Sequence, residues 1–376
     1  MGGSDPLNVI VTLAALLLGG GLFLRHFRAS LRLLPAAAPF LIMLLIIFAS
    51  AFWSAAPESS LRRGVTMASL LLFVLGTQAS LGGERFMRIA VRAVLMTAAL
   101  GIAEAALRPA YGFDTGEYAN AIRGLYNQKN GFGIGLLSGM LALSFGALSR
   151  GALRWTDCLI AGAFLLCVVL ARSTTSLLLS LMICGITPLI LALDSRGAPR
   201  IVALIGLVLG ATAAGLLLAA TNVADLLELL GKDASLTGRT EIWEAVDEAI
   251  ARKPLLGYGY SAFWIDGSRE VLRVWDHVAW EVISAHSGYR ELMLQFGSVG
   301  LILLVTMTGI TLALSIRATW LGGWRMAAWM LLFLGVLAIL NNSESVLFDV
   351  GLMTIYWMVG VLSLSQVGWR RAARPG

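Results

Sequence analysis

Apolar stretches of membrane-spanning length recur along nearly the whole chain, and that recurrence excludes most folds at once. About 17 to 25 predominantly apolar residues form a helix that crosses ~30 Å of hydrocarbon, and a helix satisfies its own backbone polar groups on the way. About eleven such stretches, within a range of 10 to 12, lie near 7–24, 34–53, 65–80, 86–106, 131–148, 155–171, 173–193, 201–220, 289–315, 327–343 and 346–366. At 58% hydrophobic and 13% charged residues, the chain stands apart from soluble domains, in which about a quarter of residues are charged. The expected fold is an all-α integral membrane protein, a single polytopic membrane domain over 1–376. Its rhythm breaks at 107–130 and at a large, partly helical loop over 221–288.

Every second short loop is basic. Arg25, Arg28 and Arg32 follow the first stretch, and Arg85 and Arg88, Arg150 and Arg154, Arg196 and Arg200, and Arg317 and Arg325 follow the third, fifth, seventh and ninth. Arg370, Arg371 and Arg374 close the chain. Positive residues in short loops stay cytoplasmic, so these six lie inside, and the N-terminus, both long loops and the Arg172 turn lie outside. The net charge of +6 is then mostly a topology signal. Residues 221–287 carry eleven Asp or Glu against six Lys or Arg, an acidic surface that argues against a nucleic-acid partner.

The opening Met1–Asn8 has no basic segment and no small-residue cleavage site downstream, so the first stretch reads as a retained helix. A start outside with so short a lead leaves room for a further helix upstream. Cys158, Cys167 and Cys184 fall inside expected spans without paired spacing, as buried inert thiols do. The chain has neither GxxxxGK[ST] nor HExxH, and no carboxylate cluster spaced for a divalent ion. Neither a bound nucleotide nor a metal is expected as cofactor.

Cations on the outer side are the next clue. Lys129 precedes the fifth span, Arg172 sits between the sixth and seventh, and Arg239 and His286 flank the large loop. Interfacial anchoring and a shared anion site both account for Arg172 and Lys129; their common side favours the shared site. From Thr237 to Lys253 the spacing of Ile242, Ala245, Val246, Ala249 and Ile250 predicts a surface helix that Pro254 ends. An arginine in its first turn opposes the helix dipole. Arg239 is therefore read either as part of an anion site beside free backbone N–H groups or as the partner of a local carboxylate such as Asp247. Downstream, Gly257-Tyr258-Gly259-Tyr260 and Phe263-Trp264 suit either sugar stacking or an interfacial aromatic belt. His286 is the histidine that stands where this polar loop enters a hydrophobic span, followed by Ser287, Gly297 and Gly300. Glu344 and Asp349 either orient sugars or solvate the Asn341-Asn342-Ser343 turn, and the turn is the favoured reading.

These residues resemble a known group. The run Gly238-Arg239-Thr-Glu-Ile-Trp243, then Pro254-Leu-Leu-Gly257-Tyr-Gly259 with Phe263-Trp264, then Ala285-His286-Ser287-Gly-Tyr289, is similar to the O-antigen ligase and polymerase superfamily. That group includes WaaL ligases, Wzy polymerases and ExoQ-type exopolysaccharide polymerases. The resemblance spans Lys129 to about Gly300. Lys129-Asn130 before a Gly-rich span and the Gly-Tyr-Gly…Phe-Trp sequence bring it nearest the ExoQ-type branch. One departure is Ser287, where members of the group often carry Asn.

The resemblance implies a membrane glycosyltransferase of GT-C-like type on the periplasmic side of a bacterial inner membrane. The donor would be a glycan on undecaprenyl diphosphate and the acceptor a hydroxyl of another lipid-linked repeat, with no metal or nucleotide. His286 would take the acceptor's proton, with His277 in reserve. Arg239 would hold departing phosphate charge with Arg172, and Lys129 and Arg290 would assist; Tyr258 and Trp264 would face the sugars. Besides membrane lipid, a polymerase leaves room for a chain-length regulator and a flippase as partners. A ligase that joins a glycan to lipid A core is the alternative within the group. A transporter of polysaccharide or lipid is the alternative outside it, disfavoured because the outward charges gather at one face and Pro188 alone lies well inside a span.

Overall fold

A computed structural model describes residues 6–115, 119–195 and 239–367. The expected span at 201–220, the first part of the large loop, and Arg196, Arg200, Arg370, Arg371 and Arg374 lie outside the described residues. The described chain is helical: α1 Pro6–Arg25, α2 Phe27–Ser50, α3 Pro57–Leu107, α4 Pro109–Gly112, α5 Lys129–Arg150, α6 Trp155–Leu170, α7 Thr174–Ser195, α8 Arg239–Arg252, α9 Arg269–Val278, α10 Gly288–Trp320, α11 Trp324–Leu340 and α12 Leu352–Ser365. Among the described residues, β pairing is limited to an isolated bridge between Phe113 and Ile122.

Five of these helices are long and apolar enough to cross a membrane: α2, α3, α5, α7 and α10. The apolar parts of α1, α6, α11 and α12 are shorter. The protein is a multi-pass helical membrane protein. The break expected between the spans 65–80 and 86–106 falls at Gly82, where φ is 72°, within the 51 residues of α3. Straight, that helix would measure ~76 Å, over twice the hydrocarbon thickness. Proline is commoner inside helices than the sequence reading held, because α2 starts at Phe27 and runs through both Pro35 and Pro39.

Contacts divide the chain into two compact units whose segments alternate along the sequence. The first comprises residues 1–80, 210–313 and 337–362. There α1 crosses α3 closely, because a Cβ at Gly76 would run into the Gly19 carbonyl oxygen; small residues permit such approach where lipid supplies no hydrophobic drive. Trp357 of α12 packs edge-on against Phe40 of α2 at 6.3 Å and donates its indole N–H to Thr311 Oγ1 of α10 at 2.9 Å.

The second unit comprises 81–209, 314–336 and 363–376. Its centre is α5, with 83% of its most apolar window buried. Gly133, Gly135 and Gly139 leave room there for Ser173, the Tyr126 ring and Phe164. Trp329 of α11 packs edge-on against Phe145 at 4.8 Å and donates to the Leu141 carbonyl at 3.0 Å.

The large loop is anchored in the first unit by a break in α10. At Gly297 φ is 58° and ψ is −145°. An unbroken helix would have Ser298 and Val299 donate to the carbonyls of Leu294 and Gln295. Instead Ser298 N–H donates to Pro254 O at 2.8 Å and Val299 N–H to Leu255 O at 3.3 Å. The vacated carbonyls of Leu294 and Gln295 accept from Tyr258 and Gly259 N–H at 2.7 and 3.0 Å. Residues 254–259 thus supply all four partners that the break releases, and an unpaired backbone group in lipid would cost several kcal/mol. The two backbones meet at glycines: a Cβ at Gly257 would strike the Leu294 and Gln295 carbonyls, and one at Gly297 would strike Leu255. The α2–α3 junction closes the other side, with Trp53 Nε1 donating to Leu256 O at 2.8 Å and Ser60 Oγ to Tyr260 O at 2.8 Å.

Candidate active site

Helix α8 presents two faces. Ile242, Ala245, Val246 and Ala249 are buried in a core with Val271, Val274 and Val278 of α9 and with Tyr258 and Phe263. The α8 periodicity was legible in the sequence; α9, capped at Ser268 by its hydroxyl accepting from Val271 N–H at 3.2 Å, was not. Arg239, Trp243 and Asp247, four residues apart, form a second stripe on α8.

That stripe organises the segment leading into α10. Trp243 Nε1 donates to the Ala285 carbonyl at 3.0 Å, and the Ala285 N–H donates to Glu291 Oε2 at 3.2 Å. Both backbone groups of Ala285 are therefore pinned by side chains. The next residue, His286, is held in the left-handed region at φ 45°, and its N–H donates to Ser284 Oγ at 3.2 Å. A non-glycine residue there carries strain of about 1–3 kcal/mol that its surroundings must hold. Gly288 fits against Asn341, whose side chain a Cβ would strike, and its N–H donates to Asn341 O at 2.8 Å. Asn341 Oδ1 in turn accepts from Val346 and Leu347 N–H.

Burial and, secondarily, the nearby Arg239 charge push the His286 imidazole down to about 4. It is neutral across the physiological range, with a ring nitrogen able to accept a proton. Among the described residues its ring has no hydrogen-bond partner. Arg239 pairs neither with Asp247 nor with open water. Its Nη1 donates to Ser343 O at 2.8 Å and its Nη2 lies 3.5 Å from Glu344 Oε1, both side chains largely buried. Glu344, read from sequence as solvating its turn, is the carboxylate that positions this guanidinium.

The other expected site residues divide. Arg290 forms a two-point pair with Asp247, at 2.9 and 3.0 Å, and lies 4.6 Å over the Trp243 ring. Tyr258 is 3% exposed, edge-on to Phe263, with its hydroxyl donating to Ala249 O at 2.8 Å; in this arrangement the ring has no open face for a sugar. Trp264 is half-buried and donates Nε1 to Glu291 at 3.0 Å. His277 lies 3.8 Å from Glu244 Oε2.

Lys129 and Arg172 belong to the second unit, where they lie near one end. The Lys129 N–H donates to Asp114 Oδ2 at 2.9 Å, and the Ile122 N–H donates to Leu170 O at 3.1 Å, tying the segment before α5 to the Arg172 turn. Arg172 is exposed, in the left-handed region at φ 50°, and its guanidinium has no partner among the described residues.

Sequence reasoning passed over Glu291. Its carboxylate accepts from Ala285 N–H, Trp264 Nε1 and Gln295 Nε2. The available signal was a carboxylate inside a stretch read as a span, where such a group is costly and is retained with partners.

Comparison with known proteins agrees with the motifs. A family model described as O-antigen ligase matches residues 159–305. The chain is 31% identical over 274 residues to the exopolysaccharide production protein ExoQ of Rhizobium meliloti (strain 1021), covering 69% of this chain and 60% of that protein. The chain thus spans about 60% of that relative's length. Both findings support the O-antigen ligase and polymerase superfamily, with an ExoQ-like character, as the group of this chain.

Proposed function

We propose that this chain is a polysaccharide polymerase acting at the periplasmic face of a bacterial inner membrane, which it crosses about eleven times. It moves a glycan from undecaprenyl diphosphate to a sugar hydroxyl of another lipid-linked repeat. The acceptor oxygen attacks the anomeric carbon, the bond from that carbon to the phosphate oxygen breaks, and the hydroxyl proton passes to the His286 ring. Undecaprenyl diphosphate leaves with the electron pair, its charge met by Arg239; a guanidinium group takes phosphate oxygens two at a time. The donor's diphosphate ester drives the transfer, so neither nucleotide nor metal takes part in this scheme.

The observation that carries this reading is a neutral, unengaged imidazole, held by a strained and doubly pinned backbone, near a half-buried arginine. The family description keeps a ligase acting on lipid A core as a second reading. Both are tested by incubating purified protein in nanodiscs with the host's undecaprenyl-diphosphate repeat unit, with chelator and without nucleotide. A ladder of lipid-linked repeats is expected. No ladder, with transfer once lipid A core is added, would make it a ligase; no product in either assay would return the transporter.

A further inference from the structure

The second unit holds a polar cavity of about 510 Å³ at the end of α3, lined by Glu104, Tyr111, Arg123, Leu125 and Asn127 among others. That size lies within the usual range for ligand pockets, roughly 300–1,000 Å³. Its walls are fixed. Arg123 donates Nε to Tyr111 O at 2.9 Å and Nη1 to Asn127 O at 3.3 Å, which bridges both ends of the segment. Arg108 grips Glu104 Oε2 at 2.6 Å and lies 5.7 Å over the Tyr111 ring, so one face of that ring is backed by a cation. The rest of Tyr111 is open, with the residue 64% exposed.

Several polar groups in this lining have no partner among the described residues: Glu104 Oε1, the Asn127 side-chain amide, the Tyr111 hydroxyl and Arg123 Nη2. Carboxylate, amide and guanidinium are planar and offer paired hydrogen bonds, the geometry of neighbouring hydroxyls on a pyranose. An open aromatic ring suits the C–H face of the same sugar. A diphosphate would meet the Glu104 carboxylate beside Arg123, and a lining that is more polar than apolar disfavours a lipid chain.

We infer that this cavity is a subsite for an uncharged sugar residue of the glycan, separate from the groups that hold phosphate. The inference rests on the polymerase reading for its choice of ligand. The test uses full-length protein in nanodiscs and, as probe, the lipid-free repeat-unit oligosaccharide cut from the host's own polysaccharide. Saturation-transfer NMR is expected to detect the oligosaccharide on the wild type. In Tyr111→Ala affinity is expected to fall roughly fivefold or more, and in Glu104→Gln by a similar factor, as a charged acceptor becomes a neutral one. Both variants should still give the first lipid-linked addition while making shorter polymer. A wild type that polymerises, with no saturation transfer and with unchanged product length in both variants, overturns the subsite alone. A wild type that transfers no sugar overturns the polymerase reading, and binding lost in Tyr111→Ala would still uphold the cavity as a sugar site.

Discussion

Because burial and Arg239 depress the titration of His286, the free protein should keep an active base well below pH 6.5. The acid limb of kcat/KM is expected near pH 4, where the imidazole protonates. Arg239→Gln removes the neighbouring charge and should move that limb upward; a limb that stays put, measured on residual activity, would sever Arg239 from His286. His286→Ala and Arg239→Ala should each abolish long polymer with the protein still in the membrane, and Arg239→Lys should rescue poorly because the fork is lost. Normal polymer from either alanine variant would refute the site. Trp243→Phe keeps the ring but loses the bond to Ala285, typically worth about 1 kcal/mol. An approximately fivefold fall in kcat at nearly constant KM is expected, since it shifts His286 without touching the glycan. At this scale the motifs made Arg239 and His286 visible, but not Glu344 or Glu291, whose roles arise from contacts across 105 and 6 residues.

At the scale of elements, the pairing of Pro254–Gly259 with the broken α10 makes the loop's glycines structural. Gly257→Ala combines positive φ with a collision against α10, so a loss of roughly 1–3 kcal/mol is expected from strain alone. Gly309→Ala in the same helix meets nothing within 4 Å and should be tolerated. Thermal unfolding in detergent distinguishes them; equal melting temperatures would refute the pairing. Helix α8 was legible because its apolar residues repeat at helical spacing. Helix α9 was not, since Val271, Val274 and Val278 occupy only ten residues and are interleaved with charges. The break at Gly82 falls between the two spans read from sequence, but the helical conformation of Arg85 and Arg88 escaped, because they look like a loop whereas arginine sits comfortably in a helix.

Across the whole molecule, hydropathy made the class plain, and the alternation of basic loops supplied an orientation. That orientation is checked with single cysteines in a background where Cys158, Cys167 and Cys184 are alanine. A membrane-impermeant maleimide should label Leu272→Cys in intact spheroplasts and leave Arg317→Cys unlabelled until lysis; the reverse pattern would invert the topology. What hydropathy could not convey is the division into two compact units with alternating segments, because this depends on which helices touch rather than on which residues are apolar.

The clasp around Pro254–Gly259 also imposes an order of assembly on the ribosome. One wall, the α2–α3 junction, is synthesised some 200 residues before the loop, while the other, Leu294–Val299, follows it by about 40. The junction must therefore wait open, with the Ser50 and Ser60 hydroxyls unclaimed by Tyr260, until the loop has been made. A nascent chain stopped before Gly297 would carry every residue of the α8 stripe and His286 itself, yet lack Ser298 and Val299 of the clasp and the Ser343–Glu344 turn that holds Arg239.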